Sequence, residues 1–366
     1  MDKRVILAVA GSGKTYTICS EIDISKRNLI IAYTNQNIKN IYNMLMEKFG
    51  CIPNDTIVMT FHSFIYKYLI RPFDRSIGEF YGINDFFSKG VTIATPPEAS
   101  LLINGVWRKN RYYNKDTTIE HYIRNGKYYS EYLSKLILKT NNKHYSLLND
   151  CCENINKFFD KIYIDEMQDF RENNWKLLCE IINRVDNILL VGDYYQHSVS
   201  GVNNSGIPFV NKKHSLSYDE YVKYLYDLNL DVDDQLLIKS RRCSEDVCSF
   251  IEKKLNIKIE SLKINEGKII FLTSSSEIQK ILADDSIIKL VWEKASEFEF
   301  NAISWGYSKG DTYDNTCIIL TDVYSNLEDD DFVNVQSNIS TNKLYVALSR
   351  SCGNVYLLKR CQLNEK

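Results

Sequence analysis

The stretch VILAVAGSGKT, Val5 to Thr15, decides the fold class of this chain of 366 residues. Its first half, VILAV, is an apolar run of the kind that forms a buried strand, and small residues follow it at once. Small residues between a strand and a helix let backbone N–H groups curl around a phosphate. We therefore predict a phosphate loop. A chance glycine-rich turn is the alternative, because Ala8 replaces the first glycine of the general pattern.

The end of this stretch supplies the groups that a bound nucleotide needs. Lys14 can reach the β and γ phosphates as a point charge, and the hydroxyl of Thr15 is a suitable ligand for Mg²⁺. The cofactors that the loop implies are ATP and Mg²⁺. The residues predicted to bind the nucleotide are Ala10, Gly11, Ser12, Gly13, Lys14 and Thr15.

A pair of carboxylates gives a second indication of nucleotide chemistry. The segment IDEMQDF, Ile164 to Phe170, places Asp165 and Glu166 side by side at the end of an apolar strand. Adjacent carboxylates repel each other unless a cation or a proton offsets their charge, so a solvated acidic turn is the less favoured interpretation. We predict that Asp165 holds Mg²⁺ together with Thr15, and that Glu166 takes a proton from the attacking water. Together the two motifs predict hydrolysis of a nucleotide.

Short apolar strands, each followed by helix-like periodicity, recur along the chain. Strands that alternate with helices predict a parallel sheet covered on both faces. The pattern occurs before about residue 235 and again after it, so we predict an α/β fold of two lobes with a ligand site in the cleft between them. The predicted strands are Val5–Val9, Leu29–Tyr33, Lys161–Asp165 and Asn187–Asp193 in the first lobe, and Lys268–Leu272, Thr316–Leu320 and Val355–Leu358 in the second.

A segment of different character interrupts the first lobe. Residues 65–158 are helical in pattern, rich in tyrosine and mixed in charge, as in the stretch WRKNRYY from Trp107 to Tyr113. We therefore assign residues 1–64 and 159–235 to the first lobe, 65–158 to a small, mostly helical inserted subdomain, and 236–366 to the second lobe.

Composition limits the classes of protein to which the chain can belong. With 45 Lys and Arg against 47 Asp and Glu, no overall basic charge indicates nucleic acid, so any such contact must come from a local groove. Ten cysteines are scattered without the CxxC spacing of a zinc site, which favours a reduced protein without a structural metal. The sequence has no run of about 18 apolar residues, and its apolar start is too short for a signal peptide. We expect a soluble, cytoplasmic protein with no membrane partner.

Seven segments, in order along the chain, resemble motifs of the UvrD/Rep group of superfamily 1 helicases. They are AYTN at Ala32–Asn35, TFHSF at Thr60–Phe64, DEMQD at Asp165–Asp169, GDYYQ at Gly192–Gln196, RRCSEDV at Arg241–Val247, SKGDTYD at Ser308–Asp314 and LYVALSR at Leu344–Arg350. One such match is weak evidence, but seven in the same order are strong evidence. The resemblance implies two RecA-like lobes and an ATPase that acts on single-stranded nucleic acid.

The resemblance assigns further residues to the ATP site. Gln196 would sense the γ-phosphate, and Arg242 and Arg350 would reach it from the second lobe. Fixed guanidinium groups suit a transition state whose charge spreads over the phosphate oxygens. Lys309 and Gly310 would bind the nucleotide and couple the ATP site to the nucleic-acid strand. The alternative for Arg242 is a surface cation in a basic pair.

Two of these segments predict contacts with a single strand of nucleic acid. In the family, AYTN and TFHSF face single-stranded DNA, so DNA is the partner that the resemblance favours, with RNA left open. Hydroxyl, amide and aromatic groups can bond phosphates and stack on bases. Considered by itself, Phe64 is more typical of a core residue than of a base-stacking one. The WRKNRYY stretch is at least as typical of a solvated helix face as of a surface that binds nucleic acid. The residues predicted to contact the strand are Tyr33, Thr34, Asn35, Thr60, His62 and Phe64.

Three departures from the family pattern alter these implications. Arg241, which we interpret as a surface cation, stands where the family often has a stacking tyrosine, and the chain begins too close to its phosphate loop for the upstream glutamine motif that reads adenine. Thr312 and Gly306 replace an acidic residue and a histidine. The segments after Phe64 and Val247 are short where relatives insert large subdomains. We therefore expect altered base selectivity, altered coupling and weak strand separation.

The sequence leaves three functions open. The first is an ATP-dependent single-stranded DNA translocase or helicase of the UvrD type. The second is a DNA-sensing ATPase subunit that acts with a nuclease partner, since compact chains of this kind resemble the helicase-like component of Gabija-type anti-phage systems. The third is a degenerate ATPase kept as a scaffold, against which the intact Lys14, Glu166 and Arg350 argue.

Overall fold

The computed structural model describes residues 1–141, 146–197, 216–262 and 267–363. Within these ranges the strands, in chain order, are β1 (Asp2–Ala8), β2 (Asn28–Ala32), β3 (Thr56–Thr60), β4 (Val91–Thr92), β5 (Ser100–Ile103), β6 (Val106–Lys109), β7 (Ile123–Arg124), β8 (Lys127–Tyr129), β9 (Lys161–Ile164), β10 (Asn187–Gly192), β11 (Asp231–Leu237), β12 (Lys239–Ser240), β13 (Glu260–Ser261), β14 (Ile269–Phe271), β15 (Ile287–Val291), β16 (Ala302–Ser304), β17 (Asn315–Leu320) and β18 (Val355–Lys359). The α-helices are α1 (Lys14–Ser20), α2 (Asn35–Phe49), α3 (Phe61–Phe64), α4 (Asp74–Phe80), α5 (Leu133–Thr140), α6 (Leu147–Phe158), α7 (Glu172–Arg184), α8 (Tyr218–Asp227), α9 (Glu245–Leu255), α10 (Ser275–Ala283) and α11 (Asn338–Leu348).

The sheet of the first lobe is parallel throughout and has the order β11-β1-β10-β9-β2-β3. Successive residues of β1 point to opposite faces. Val5 and Leu7 pack in a core with α5, α6 and α7, whereas Ile6 packs in another with α1 and α2. Both faces are therefore buried, which explains why the central strands read as continuous apolar runs. Because parallel strands end at one edge of a sheet, the loops after β1, β9 and β10 meet there.

The sheet of the second lobe is also parallel, with the order β14-β18-β17-β15-β16. Helices α9 and α11 cover one face, where Trp305 and Tyr345 are fully buried, and α10 covers the other. Val9 and Ala10, which follow β1 in the first lobe, belong to the same apolar core as α11. The two lobes therefore share a packed core beside the predicted phosphate loop.

The segment between α3 and β9 mixes helices with short strands. The π-helical turn Ile65–Ile70 and helices α5 and α6 pack into the core of the first lobe. Strands β4, β8 and β7 form a three-stranded sheet, and β5 pairs with β6 in a separate hairpin. The hairpin turns at Asn104 and Gly105, both of which have positive φ angles, as a tight two-residue turn requires. The inserted segment thus contains two small sheets as well as the expected helices.

The two parallel sheets confirm the predicted α/β fold class. Every predicted strand is present, with ends within three residues of those expected. The prediction lacked four further strands of these sheets, β3, β11, β15 and β16. None of the helices in the described ranges is both long and apolar enough to cross a membrane.

Candidate nucleotide site and strand groove

The predicted phosphate loop lies between β1 and α1 and packs against the second lobe. Gly11 and Gly13 have φ angles of 72° and 94°, in the left-handed region that favours glycine. A side chain at Gly11 would also collide, because its Cβ would lie 2.7 Å from Cβ of Arg242 and 2.8 Å from Oγ of Ser240. The backbone N–H of Arg241 donates to the carbonyl oxygen of Gly11 over 2.9 Å. Glycine at position 11 is therefore required both by the curl of the loop and by its contact with the second lobe.

The acidic pair that follows β9 lies beside this loop. The hydroxyl of Thr15 donates to Oδ2 of Asp165 over 2.9 Å. Nζ of Lys14 lies 3.6 Å from Oε1 of Glu166, and both side chains are largely buried. Glu166 has a φ of 52°, an uncommon backbone conformation of the kind that is often found at functional sites. The structure thus brings together the four residues that the sequence assigned to phosphate binding, metal binding and proton transfer.

The pKa values of the two carboxylates move in opposite directions. Burial and the neighbouring charge of Glu166 raise the pKa of Asp165 to about 7. Burial also acts to raise the pKa of Glu166, but the charges of Lys14 and Lys309 outweigh it and lower that pKa. Glu166 is therefore the carboxylate that stays ionised, whereas the charged form of Asp165 needs a cation beside it.

The 3₁₀ turn Tyr194–Gln196, after β10, contains the predicted γ-phosphate sensor. Gln196 is buried and donates from Nε2 to Oδ2 of Asp193 over 2.8 Å. The backbone N–H of Asp193 donates to Oε1 of Gln168 over 3.0 Å, and Gln168 donates in turn to Glu166. A chain of hydrogen bonds therefore links the sensor turn to the predicted catalytic base.

Arg242 meets the nucleotide loop from the second lobe. It lines a cavity of about 290 Å³ together with Gly11, Gly13, Lys14 and Glu166. One of its guanidinium nitrogens donates to the carbonyl oxygen of Ser349 over 3.0 Å, which anchors the side chain to its own lobe. The surface-cation alternative for Arg242 does not describe this position, because the residue faces the phosphate loop.

Arg350 lies deeper in the second lobe. It is 1% exposed, and its guanidinium donates to the carbonyl oxygens of Val346 and Asp311 and to Oγ of Ser349. Burial and the charge of Arg242 lower the pKa of Arg350 to about 10, so it remains a cation at neutral pH. Its charge contributes to lowering the pKa of Glu166. Direct contact with a phosphate would require Arg350 to exchange these bonds, and its role stays a prediction.

Lys309 and Gly310 lie on the side of Glu166 that faces the strand segments. They line a cavity of about 720 Å³ that also includes Glu166, Tyr33 and Thr34. Lys309 forms an ion pair with Asp169, which joins the two lobes, and both side chains are mostly buried. The smaller cavity at the phosphate loop does not include Lys309 or Gly310 among its lining residues. Their contact with the nucleotide stays a prediction, while their place between the two sites suits a coupling role.

A groove between the first lobe and the inserted segment contains most residues predicted to contact a strand. Its volume is about 800 Å³. The hydroxyls of Thr34 and Thr60 also cap α2 and α3, since each accepts a hydrogen bond from a backbone N–H in the first turn of its helix. The predicted strand contacts in the groove are Tyr33, Thr34, Asn35, Thr60 and His62.

Phe64 does not belong to this groove. It is 1% exposed, and its ring packs 6.1 Å from that of Phe61 and 5.9 Å from that of Tyr68, measured between centroids. The prediction that Phe64 stacks on a base is therefore wrong for this structure. Because α3 turns its apolar side toward the core of the first lobe, the core interpretation is the correct one.

Sequence reasoning missed the far wall of the groove. All five residues of this wall lie in the inserted segment, with Tyr66, Lys67 and Arg71 in the helical turns after α3 and Val91 and Ile93 in and just after β4. The four-residue spacing of the two cations was a readable signal, because residues four apart share one face of a helix. The contribution of Val91 and Ile93 depends on how the segment folds back, which the local sequence does not show.

Two cationic and aromatic features can be compared with their sequence interpretation. Arg241 is exposed, as a surface cation is expected to be, and it also lines the cavity at the phosphate loop, with its guanidinium 5.5 Å from the ring centroid of Tyr16. Trp107, at the start of the WRKNRYY stretch, lies in β6 and is 66% exposed. That part of the stretch is therefore a hairpin strand and not the face of a helix.

Comparisons with known proteins provide a family and distant structural likenesses. The family described as AAA domain matches residues 2–202. The structure of the PRRSV helicase is similar with a TM-score of 0.45 and 12% identity, over 99% of this chain and 53% of that one. An Arterivirus nonstructural protein 10 (helicase) in complex with DNA gives a TM-score of 0.47 and 10% identity, over 97% of this chain and 60% of that one. The chain thus spans little more than half the length of these two proteins. No curated protein matches it.

Proposed function

The chain belongs to the AAA domain family, and we propose that it is an ATP-hydrolysing motor that moves along single-stranded nucleic acid in the manner of UvrD-type helicases. One observation supports this proposal above the others. Lys14 and Glu166 of the first lobe and Arg242 of the second line a single cavity at the phosphate loop. A nucleotide bound there would contact both lobes, so its hydrolysis would change how they are held together.

The side chains at this cavity supply what phosphoryl transfer to water requires. Lys14 and the loop amides bind the phosphates, and the ionised Glu166 accepts a proton from the attacking water. Arg242 offsets the charge that spreads over the γ-phosphate oxygens. Gln196 does not line the cavity itself; held by its hydrogen bond to Asp193 and linked to Glu166 through Gln168, it is the proposed sensor of the γ-phosphate.

Thr15 and Asp165 fit a magnesium ion that arrives with the nucleotide. A hydroxyl and a carboxylate whose oxygens lie 2.9 Å apart are hard donors of the kind that Mg²⁺ prefers. The raised pKa of Asp165 is consistent with a carboxylate whose charged form needs a cation. When bound, the ion would neutralise phosphate charge, and the remaining ligands would be phosphate oxygens and water.

A continuous path between the two sites supports coupling of hydrolysis to a strand. Tyr33 and Thr34 line both the groove and the cavity of about 720 Å³ that reaches Glu166. The ion pair between Lys309 and Asp169 joins the lobes beside that cavity. A strand in the groove would therefore contact residues that also border the catalytic base. Single-stranded DNA is the first substrate that we would test.

A second candidate is an ATPase that senses single-stranded DNA on behalf of a partner protein such as a nuclease. The hairpin of β5 and β6 favours it, because Leu102, Ile103, Val106 and Trp107 are between 42% and 66% exposed. Exposed apolar surface of this kind marks interaction sites. The motor remains the better supported function, since the path between groove and nucleotide site lies within the chain itself.

One experiment separates these functions. ATP hydrolysis is measured with and without single-stranded DNA, single-stranded RNA and duplex DNA, together with displacement of streptavidin from the end of a biotinylated strand. If the protein is a motor, nucleic acid should stimulate its ATP hydrolysis and the protein should displace streptavidin. If it is a sensor, nucleic acid should stimulate hydrolysis without displacement. Hydrolysis no faster than that of Lys14→Ala under every condition would contradict both and favour the scaffold.

A further inference from the structure

One buried hydroxyl of the second lobe connects two loops of the first. Tyr345, on α11, is fully buried. Its hydroxyl accepts a hydrogen bond from the backbone N–H of Ala10 over 2.7 Å and donates one to Oδ2 of Asp193 over 3.1 Å. Ala10 belongs to the predicted phosphate loop, and Asp193 precedes the sensor turn. The hydroxyl therefore bonds to both nucleotide loops only while the two lobes are docked.

Asp193 is the point at which these bonds converge. The oxygen that accepts from Tyr345 also accepts from Nε2 of Gln196 over 2.8 Å. Its other oxygen accepts from the backbone N–H of Tyr195 over 3.0 Å. Since Asp193 is 0% exposed, water cannot replace a lost partner cheaply. The orientation of the carboxylate, and with it that of the Gln196 amide, depends on the Tyr345 hydroxyl.

Helix α11 carries Tyr345 and leads directly to the predicted arginine finger. Nε of Arg350 donates to the carbonyl oxygen of Val346, one residue after Tyr345. The helix also docks just after the sensor turn, where the side-chain amide of Asn342 donates to the carbonyl oxygen of His197 over 3.2 Å. Movement of the second lobe would therefore shift Tyr345 and Arg350 together relative to Gln196.

We propose that Tyr345 is a positioning residue that orients Gln196, through Asp193, when the second lobe docks on the first. This inference depends on the proposed ATPase function, because Gln196 acts on the γ-phosphate only in that reaction. Docking of the second lobe then moves Arg242 and Arg350 toward the phosphate loop and, in the same step, fixes the orientation of the Gln196 amide. Hydrolysis before docking is slow because Gln196 is not yet held in its working orientation.

The test is Tyr345→Phe, which removes one oxygen and keeps the buried ring. We expect kcat for ATP to fall about fivefold to tenfold, the size of one lost hydrogen bond. KM should change less than kcat, because Lys14 keeps its place at the phosphates and the phosphate loop loses only the bond of the Ala10 N–H. The matched control is Tyr324→Phe. Tyr324 is equally buried in the same lobe, and its hydroxyl bonds to Oγ of Ser340 over 3.0 Å, away from the nucleotide loops. Tyr324→Phe should keep the wild-type kcat.

Two further measurements distinguish positioning from a general structural effect. Tyr345→Phe should weaken binding of ADP with aluminium fluoride, a mimic of the transferring phosphate, more than it weakens binding of ADP alone. Adding Tyr345→Phe to Gln196→Ala should lower kcat little further, because the proposed effect of the Tyr345 hydroxyl on kcat acts through the Gln196 amide, which Gln196→Ala has already removed. Asp193→Asn should show the same selective loss if Tyr345→Phe fails to fold.

The outcomes separate this inference from the proposed function. Wild-type protein that binds neither ADP nor ADP with aluminium fluoride would contradict the ATPase function and this inference with it. A wild-type ATPase in which Tyr345→Phe equals Tyr324→Phe in kcat and in both affinities would contradict the inference alone. Additive losses in the double variant would also contradict it, because Tyr345 would then act independently of Gln196.

Discussion

At the scale of single residues, Lys14 and Glu166 form an ion pair 3.6 Å long but carry different parts of the proposed reaction. Lys14→Ala removes the charge that binds the phosphates, so we expect weak ATP binding and no measurable hydrolysis. Glu166→Gln leaves that charge in place and removes the proton acceptor, so we expect retained ATP binding and hydrolysis slower by about 100-fold to 10,000-fold. Binding of a fluorescent ATP analogue and phosphate release measure the two effects. Wild-type turnover in Glu166→Gln would show that another group is the base.

His197 allows a prediction about pH at the contact between the lobes. Burial lowers the pKa of His197 from the ordinary 6.5 to about 4, although its hydrogen bond to the carbonyl of Tyr194 acts in the opposite direction. The unfolded chain therefore takes up this proton at a higher pH than the folded one. The neutral imidazole contributes stability that is fully present above pH 6.5 and is lost as the pH falls toward 4.

His197→Gln isolates this contribution, since glutamine does not titrate. The unfolding free energy of the wild type minus that of His197→Gln should fall as the pH is lowered from about 7 to about 4. Denaturant unfolding at a series of pH values measures it, and other titrating groups cancel in the difference. A difference that stays constant over this range would show that His197 has the same pKa in the folded and unfolded chain.

At the scale of secondary-structure elements, helix α3 determines what Phe64 does. Its ring is buried with Phe61 and Tyr68, so Phe64→Ala should lower the unfolding free energy by roughly 3 to 5 kcal/mol. Strand affinity of the folded variant should be unchanged, because the ring does not line the groove. Thermal unfolding and strand binding on the same sample measure both. Phe87→Ala is the matched control, as Phe87 is 69% exposed and its loss should cost little.

The result that would contradict this assignment is specific. A Phe64→Ala protein with wild-type thermal stability and about 1 to 3 kcal/mol weaker strand binding would show that the ring stacks on a base. Such a result would require α3 to turn its apolar side away from the core when a strand binds.

Most of the strands that the sequence predicted share one physical property, although β14 is a partly buried edge strand. Strands such as β9 and β10 are buried on both faces, so their residues form apolar runs that local sequence reveals. Strand β11 was missed because it pairs with β1 at the edge of the sheet and exposes Asp231 and Asp233, which read as loop residues. The hairpin of β5 and β6 was missed although its Asn104 and Gly105 are a known turn signal. Edge and hairpin strands depend on pairing partners more than on their own periodicity.

At the scale of the whole molecule, the candidate site is an assembly of loops from two sheets. The phosphate loop, the acidic pair and the sensor turn were predictable, because each follows a recognisable strand and all parallel strands end at the same edge. Apart from the approach of Arg242 to the phosphate loop, which the family resemblance implied, contacts between the lobes were not predictable. Tyr345 bonds to Ala10 across 335 residues of sequence, and Lys309 pairs with Asp169 across 140. Such pairings depend on how the lobes dock, which no local pattern encodes.

The groove and the nucleotide site together predict how a strand affects hydrolysis. ATP hydrolysis should rise with added single-stranded DNA, and the dependence on salt should be modest, because the groove offers Lys67 and Arg71 beside mostly neutral groups. Each phosphate neutralised on a single strand contributes about 0.7 to the slope of log affinity against log salt concentration. Arg71→Ala should therefore weaken strand binding and lower that slope by about 0.7. Arg75→Ala is the matched control, since Arg75 is an exposed cation nearby that pairs with Glu79 and does not line the groove. Equal slopes for wild type and Arg71→Ala would place the strand elsewhere, and stimulation that disappears in Arg71→Ala at low salt, while Arg75→Ala keeps it, would show that this groove is where the strand controls the ATPase.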